Sequence, residues 1–188
     1  MIEAGAALLA WLGASLIVLG DGRRALALGL GLVAAGFGLL IWASGQPVGA
    51  VAVVAGGLTG SSRCWRAGTT WDLMPPGSTP RLVLCVASAL IALWVAASVT
   101  TGPGGALRFA AVVVLGLMVA RVMASRVNSV VLTSIACIAL ALAAAPSLGA
   151  TSPGPAPGII GALIAAAVTF LPGGRAPDEV SKGRAGGG

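Results

Sequence analysis

Residues 21–47, DGRRALALGLGLVAAGFGLLIWASGQP, hold an apolar run at 25–43 between a turn with two arginines and a turn that ends in proline. A helix needs about 20 apolar residues to cross the ~30 Å hydrocarbon core of a bilayer. Backbone inside lipid must satisfy its own hydrogen bonds, which leaves helices or closed barrels. Because the run is continuous and does not alternate, it predicts a transmembrane helix.

The composition extends this prediction to the whole chain. Of its 188 residues, 57% are hydrophobic and only 9% are charged, and the mean hydropathy is +1.02. A soluble domain carries about 25% charged residues, because its surface has to hold water. The sequence therefore predicts an all-α, polytopic membrane protein.

Seven apolar runs predict a single transmembrane domain over residues 1–171. A polar, glycine-rich tail at 172–188 is expected to be disordered. Residues 1–20 carry Glu3 as their sole charge and have no basic residue, so the first run is interpreted as a membrane span and not as a signal peptide. The runs occupy residues 4–20, 25–43, 47–60, 82–99, 106–124, 128–145 and 158–171.

The basic residues predict the orientation of these runs. Alternate connections contain ten of the 11 basic residues: Arg23, Arg24, Arg63, Arg66, Arg81, Arg121, Arg126, Arg175, Lys182 and Arg184. The opposite set of connections contains only Arg108. Because lysine and arginine are retained on the cytoplasmic side, this asymmetry predicts seven spans, an external N-terminus and a cytoplasmic C-terminus.

Residues 61–81, SSRCWRAGTTWDLMPPGSTPR, form the longest predicted cytoplasmic loop. Trp65 and Trp71 suit the interfacial belt, where an amphipathic ring is favoured at the headgroups. Arg63 and Arg66 can meet anionic lipid phosphates. Three interpretations remain open for the loop: an interfacial anchor, a docking site for a cytoplasmic partner, and a substrate or gating element.

Few residues in the predicted spans carry chemistry. None of the seven runs has an acid near its centre, and Arg108 and Arg121 lie about one turn from a run end, where long side chains can reach the interface. The chain has no histidine, and Cys64, Cys85 and Cys137 form no C-x-x-C pair. We therefore expect no metal, cofactor or disulfide, no enzymatic activity and no nucleic-acid binding.

Two patterns bear on helix packing. Rows with small-x-x-x-small spacing predict close helix contacts and allow self-association. The two short runs, 47–60 and 158–171, are each the third span of a trio, which indicates a three-plus-one-plus-three layout with a binding site beside them. The rows are Ala27/Gly31/Ala35, Ala52/Gly56/Gly60 and Gly158/Ala162/Ala166.

Two functions follow as hypotheses. The first is a non-catalytic structural or accessory subunit of a larger membrane assembly for secretion, transfer or respiration. The second is a small-molecule permease or facilitator of three-plus-one-plus-three layout. Its candidate substrate path is Gln46, Thr59, Asn128, Thr133 and Thr169. The Ala, Gly and Arg bias suggests a bacterial source and hence the inner membrane.

Overall fold

The computed structural model describes residues 2–66, 79–99, 104–125, 127–148 and 156–170. Within them the chain forms seven α-helices and one short 3-10 helix, Ala145–Leu148. The α-helices are α1 Ile2–Leu19, α2 Arg23–Ala43, α3 Pro47–Arg66, α4 Thr79–Val99, α5 Gly105–Ala124, α6 Asn128–Ala144 and α7 Ala156–Phe170. The helical class predicted from the continuous apolar runs is confirmed.

Three of the described helices, α1, α2 and α5, are long and apolar enough to cross a membrane. Shorter apolar helices occupy Thr79–Val95, Asn128–Ala144 and Ala156–Val168. The outer surface suits lipid better than water, as α4 shows most clearly: Leu90, Ile91 and Trp94 are 62%, 61% and 71% exposed. Large exposed apolar patches of this kind mark membrane or protein contacts.

The turn between α2 and α3 explains how one apolar helix ends and the next begins. Gly45 has a φ of +83°, in the left-handed region that glycine adopts without steric cost. Its N–H donates to the carbonyl of Trp42, and the N–H of Gln46 donates to that of Ile41. This is a Schellman cap, which satisfies the last carbonyls of α2. Pro47 then starts α3, where its missing N–H is not needed.

The helix ends gather on two sides of the bundle. Asp21 lies in the α1–α2 turn and contacts Arg81 of α4 and Arg121 of α5. Arg63, near the end of α3, lies over the ring of Phe170 at the end of α7. We call this the Asp21 side; the opposite side, which carries the α2–α3 turn, is the Gly45 side. Successive helices therefore alternate in direction.

The helices form two layers of three, α1–α2–α3 and α5–α6–α7, with the middle helix of each layer between its neighbours. The layers face each other so that α1 packs on α5, α2 on α6 and α3 on α7. Each facing pair runs in the same direction. Helix α4 lies outside both layers and packs on α5 and α1.

Glycines allow the helices of one layer to approach closely. A Cβ built on Gly36 would lie 2.7 Å from the backbone of Ala6 and Ala10, and one built on Gly13 would lie 2.6 Å from the carbonyl oxygen of Gly29. No methyl group fits at such distances. The larger side chains, including Phe37, Leu117 and Leu140, fill the space between the layers and are fully buried.

Helix α3 is longer than the apolar run at 47–60 that the sequence predicts. It continues through SSRCWR to Arg66 and spans about 30 Å at ~1.5 Å per residue. Hydroxyl groups at its polar end bond to helix carbonyls: Ser62 Oγ donates to Thr59 at 2.9 Å, and Ser61 Oγ donates across to Ala27 at 2.7 Å. With these groups satisfied, the helix does not need to end at Gly60.

The connection after α3 is correspondingly shorter than the predicted loop 61–81. Residues 61–66 belong to α3, and α4 already begins at Thr79. The remaining residues of that segment, 67–78, including Trp71, lie outside the described part of the chain. The tail predicted at 172–188 also lies outside it.

Candidate functional site

The Asp21 side carries a cluster of one carboxylate and two guanidinium groups. Arg81 Nη1 lies 3.0 Å from Asp21 Oδ2. Arg121 Nη2 contacts Asp21 Oδ1 and also donates to the carbonyl oxygen of Gly20 at 3.3 Å. The cluster joins the α1–α2 turn, the first turn of α4 and the last turn of α5. We call these three residues the Asp21 cluster.

The three members of the Asp21 cluster differ in exposure. The side chain of Arg121 is 3% exposed, whereas those of Asp21 and Arg81 are 33% and 36% exposed. Burial by itself raises the pKa of the Asp21 carboxyl, but hydrogen bonds from Arg81 and Arg121 and their positive charges outweigh burial. The pKa of Asp21 is therefore lowered, and the group is a carboxylate at neutral pH.

This cluster corrects one sequence-based interpretation. Arg121 was expected to extend to the lipid interface, but it is buried in protein because Asp21 supplies a counter-charge there. The two arginines that Asp21 contacts lie 60 and 100 positions away in the sequence. The sequence signal that could have found the cluster was one acid, Asp21, and two arginines, Arg81 and Arg121. All three lie at ends of apolar runs that the distribution of basic residues assigns to one side of the membrane.

Three of the four residues predicted to meet lipid or a partner lie at the end of α3. The guanidinium carbon of Arg63 lies 4.1 Å from the ring centroid of Phe170. Trp65 is 44% exposed, and the guanidinium carbon of Arg24 lies 5.4 Å from its ring centroid. Arg66 is exposed. Arg63 and Trp65 therefore also tie α3 to α7 and α2, in addition to any external contact.

The structure places the described residues of the predicted substrate path on both sides of the bundle. Gln46 lies on the Gly45 side, at the opposite end of α3 from Cys64, whose sulfur lies 4.0 Å from Thr133 Oγ1. Thr59 and Thr133 donate to carbonyls one turn earlier in their own helices, both at 2.8 Å. Asn128 is exposed at the start of α6. The side chain of Thr169 lies outside the described part of the structure.

The two predicted short runs do meet, and they meet without a gap. Helices α3 and α7 pack side by side in parallel, with Gly49 near Gly158 and Gly56 near Ala162. A Cβ on Gly56 would lie 2.8 Å from the Cα, Cβ and carbonyl oxygen of Ala162, and one on Gly158 would lie 2.8 Å from the Cα of Gly49. We call this contact the α3–α7 seam.

The rows of small residues are used inside the bundle. Gly56 and Ala162 belong to the α3–α7 seam, and Ser61 bonds to Ala27 beside Gly31. Since close approach is what such spacing provides, these rows explain how the monomer packs. Self-association through the same faces would require the packed helices of the monomer to separate first.

Grooves with almost entirely apolar linings open on the outside of the described bundle. One of them, about 590 Å³, lies between α1, α4 and α5. Another, about 490 Å³, lies between α2 and α3, and one of about 480 Å³ lies between α6 and α7. Apolar grooves of this size accept hydrocarbon more readily than a polar solute.

Comparisons with protein-family models, with curated proteins and with solved structures found no match to this chain.

Proposed function

We propose that this chain is a non-catalytic accessory subunit of a larger membrane assembly. The observation that carries the proposal is the α3–α7 seam. The segments that a permease of three-plus-one-plus-three layout would use for its path are in contact there, with no room for a methyl group at Gly56 or Gly158. A bundle closed by backbone contacts serves as a scaffold more readily than as a conduit.

We further propose seven spans in a bacterial inner membrane, with the N-terminus outside. Among the described residues, Arg23, Arg24, Arg63, Arg66, Arg81 and Arg121 belong to the Asp21 side. Arg108 is the one described basic residue near the Gly45 side. The Asp21 side is then cytoplasmic by the positive-inside rule.

Paired serines test the orientation. Ser44 and Ser62 are both exposed, and they lie on the Gly45 side and the Asp21 side respectively. In a variant without native cysteines, Ser44→Cys should react with an impermeant maleimide on intact cells. Ser62→Cys should react only after the membrane is permeabilised. Labelling of both residues on intact cells, or the reverse pattern, contradicts the proposed topology.

Co-purification tests the subunit role. Replacing residues 67–78 by a Gly/Ser linker of equal length leaves the end of α3 and the pair of Arg81 with Asp21 intact. We expect the wild-type chain, purified in mild detergent, to retain partner subunits that the linker variant loses. If the wild-type chain purifies alone under every mild condition, the subunit proposal fails.

A permease is the second candidate, because the parallel pairing of the two trios matches the layout expected for it. Val53 distinguishes the candidates, since it is fully buried near the middle of α3. A water-soluble thiol reagent should leave Val53→Cys unmodified in a closed subunit. Modification at a rate near that of Ser62→Cys in permeabilised cells would reveal an aqueous route and favour the permease.

A further inference from the structure

Polar contacts hold the first half of helix α4. On the Asp21 side, Arg81 pairs with Asp21 at 3.0 Å. One turn further, the indole N–H of Trp11 donates to the carbonyl oxygen of Cys85 at 3.4 Å, and Ser88 Oγ donates to that same oxygen at 2.9 Å. The bond from Ser88 lies within α4, whereas Arg81 and the Cys85 carbonyl hold the first half of α4 against the α1–α2 turn and α1.

Beyond these contacts, α4 leaves the groove of about 590 Å³ that lies between it, α1 and α5. The groove runs toward the Gly45 side. Small side chains on all three helices create the space, and the large groups at its walls are Leu8, Trp11, Leu90, Leu93 and Phe109. Its lining includes Ala4, Ala7, Ala89, Gly105 and Ala106.

The volume of this groove fits one hydrocarbon chain. A water molecule occupies ~30 Å³ in the liquid and a methylene group is of similar size, so the groove holds on the order of twenty such groups. That is about one lipid acyl chain. A transmembrane helix of a partner is far wider, with a diameter of ~10 Å.

One basic residue of α5 lies at the level of the Gly45 end of the groove, beside residues that line it. Arg108 is in the first turn of α5, three residues after Gly105 and next to Phe109, both of which line the groove. No described residue forms an ion pair or a side-chain hydrogen bond with Arg108. An arginine near a helix end can extend its guanidinium group to the level of the lipid headgroups.

We infer that the α1–α4–α5 groove binds one anionic phospholipid, with an acyl chain along Trp11 and the phosphate group at Arg108. Lipid tails gain little hydrophobic free energy by entering a protein groove, since they leave an equally apolar phase. Selectivity must therefore come from the headgroup. The inference rests on the proposed insertion of the bundle in a bilayer.

Tryptophan quenching tests this inference in the full-length chain. One variant retains only Trp11, in the groove, and a matched control retains only Trp94, which is 71% exposed on the outer face of α4. Both are reconstituted in phosphatidylcholine vesicles in which a tenth of the lipid is phosphatidylglycerol, brominated near the middle of its chains. Bromine quenches only a tryptophan that it contacts.

An arginine at an anionic surface supplies about a fivefold preference for an anionic lipid. Quenching of Trp11 should then reach about one third, while Trp94 loses about one tenth, the bulk share of the quencher. Arg108→Gln should return Trp11 to the value of Trp94. Ala7→Phe, which fills the groove, should lower Trp11 quenching below the bulk share.

Three outcomes overturn the inference while leaving bilayer insertion intact, because Trp94 is still quenched in each. Trp11 could be quenched no more than Trp94, or it could retain its preference in Arg108→Gln. It could also become quenched only on dilution into excess lipid, which would indicate that a second copy of the chain fills the groove. If Trp94 itself is unquenched, bilayer insertion fails, and the inference fails with it.

Discussion

Replacement of Asp21 by asparagine should destabilise the bundle more than replacement of Arg81, its more exposed partner, by glutamine. The change removes the counter-charge of Arg121, whose side chain is 3% exposed, and leaves a guanidinium group in protein with the Gly20 carbonyl as its remaining described hydrogen-bond acceptor. An uncompensated buried charge is costly because the ion has been taken out of water without an opposite charge nearby.

The exposures in the Asp21 cluster set the size of this effect. Breaking a fully buried ion pair costs ~3–5 kcal/mol. Because the Asp21 side chain is 33% exposed, solvent weakens the pair, and we expect Asp21→Asn to cost about 2–3 kcal/mol. Arg81 is 36% exposed, so Arg81→Gln should cost only ~0.2–1 kcal/mol.

Equilibrium unfolding in mixed micelles, with SDS as denaturant and tryptophan fluorescence as readout, measures these free energies. A double-mutant cycle with Asp21→Asn and Arg121→Gln should give a coupling of about 1–2 kcal/mol, because Asp21→Asn leaves Arg121 without a counter-charge and Arg121→Gln leaves Asp21 with Arg81 alone. The reasoning is refuted if Asp21→Asn costs no more than Arg81→Gln. Additivity of the two changes within ~0.5 kcal/mol would refute it equally.

Three further predictions use the same unfolding assay. Because the pKa of Asp21 is lowered in the folded chain, its contribution is complete above the unfolded pKa of about 4 and is lost as the pH falls through the lower folded pKa. The difference in free energy of unfolding between wild type and Asp21→Asn should therefore shrink as the pH falls below about 4; a constant difference would contradict this. Gly56→Ala should lower the free energy of unfolding by ~1–3 kcal/mol through overpacking at the α3–α7 seam. Gly116 has open space around it, so Gly116→Ala should raise the free energy of unfolding by roughly 0.5–1 kcal/mol by stabilising α5. Equal effects of the two changes would show that the seam is not tight. Phe170→Leu should cost about 0.5–1 kcal/mol through loss of its contact with Arg63, and nothing further in an Arg63→Gln background.

The local part of the fold could be predicted from the sequence, because local physics determines it. Continuous apolar runs predict helices, and prolines and glycines mark turns such as Gly45–Gln46–Pro47. The end of α3 could not be predicted in this way. A run of serines and arginines reads as a loop, and the hydrogen bond from Ser61 to Ala27 that helps to hold it depends on where α2 lies.

The candidate sites depended more on tertiary structure. Charge asymmetry identified the arginines that share a side with Asp21, but not which of them would pair with it. Polarity alone selected Gln46, Thr59 and Thr133 as path residues, whereas the hydroxyls of Thr59 and Thr133 bond to their own helices. The α1–α4–α5 groove leaves no sequence signal, because its lining is made of the same alanines and glycines that close the other contacts.

The position of α4 connects the Asp21 cluster to the groove. A helix that joins two layered trios must cross from one to the other, and α4 lies outside both of them. Polar contacts at Arg81 and at the Cys85 carbonyl, both in its first half, therefore add to its limited burial in holding it. Loss of the Asp21 cluster should then loosen α4 before the layered helices and widen the groove. In Asp21→Asn, the lipid preference reported by Trp11 should weaken before the rest of the bundle unfolds.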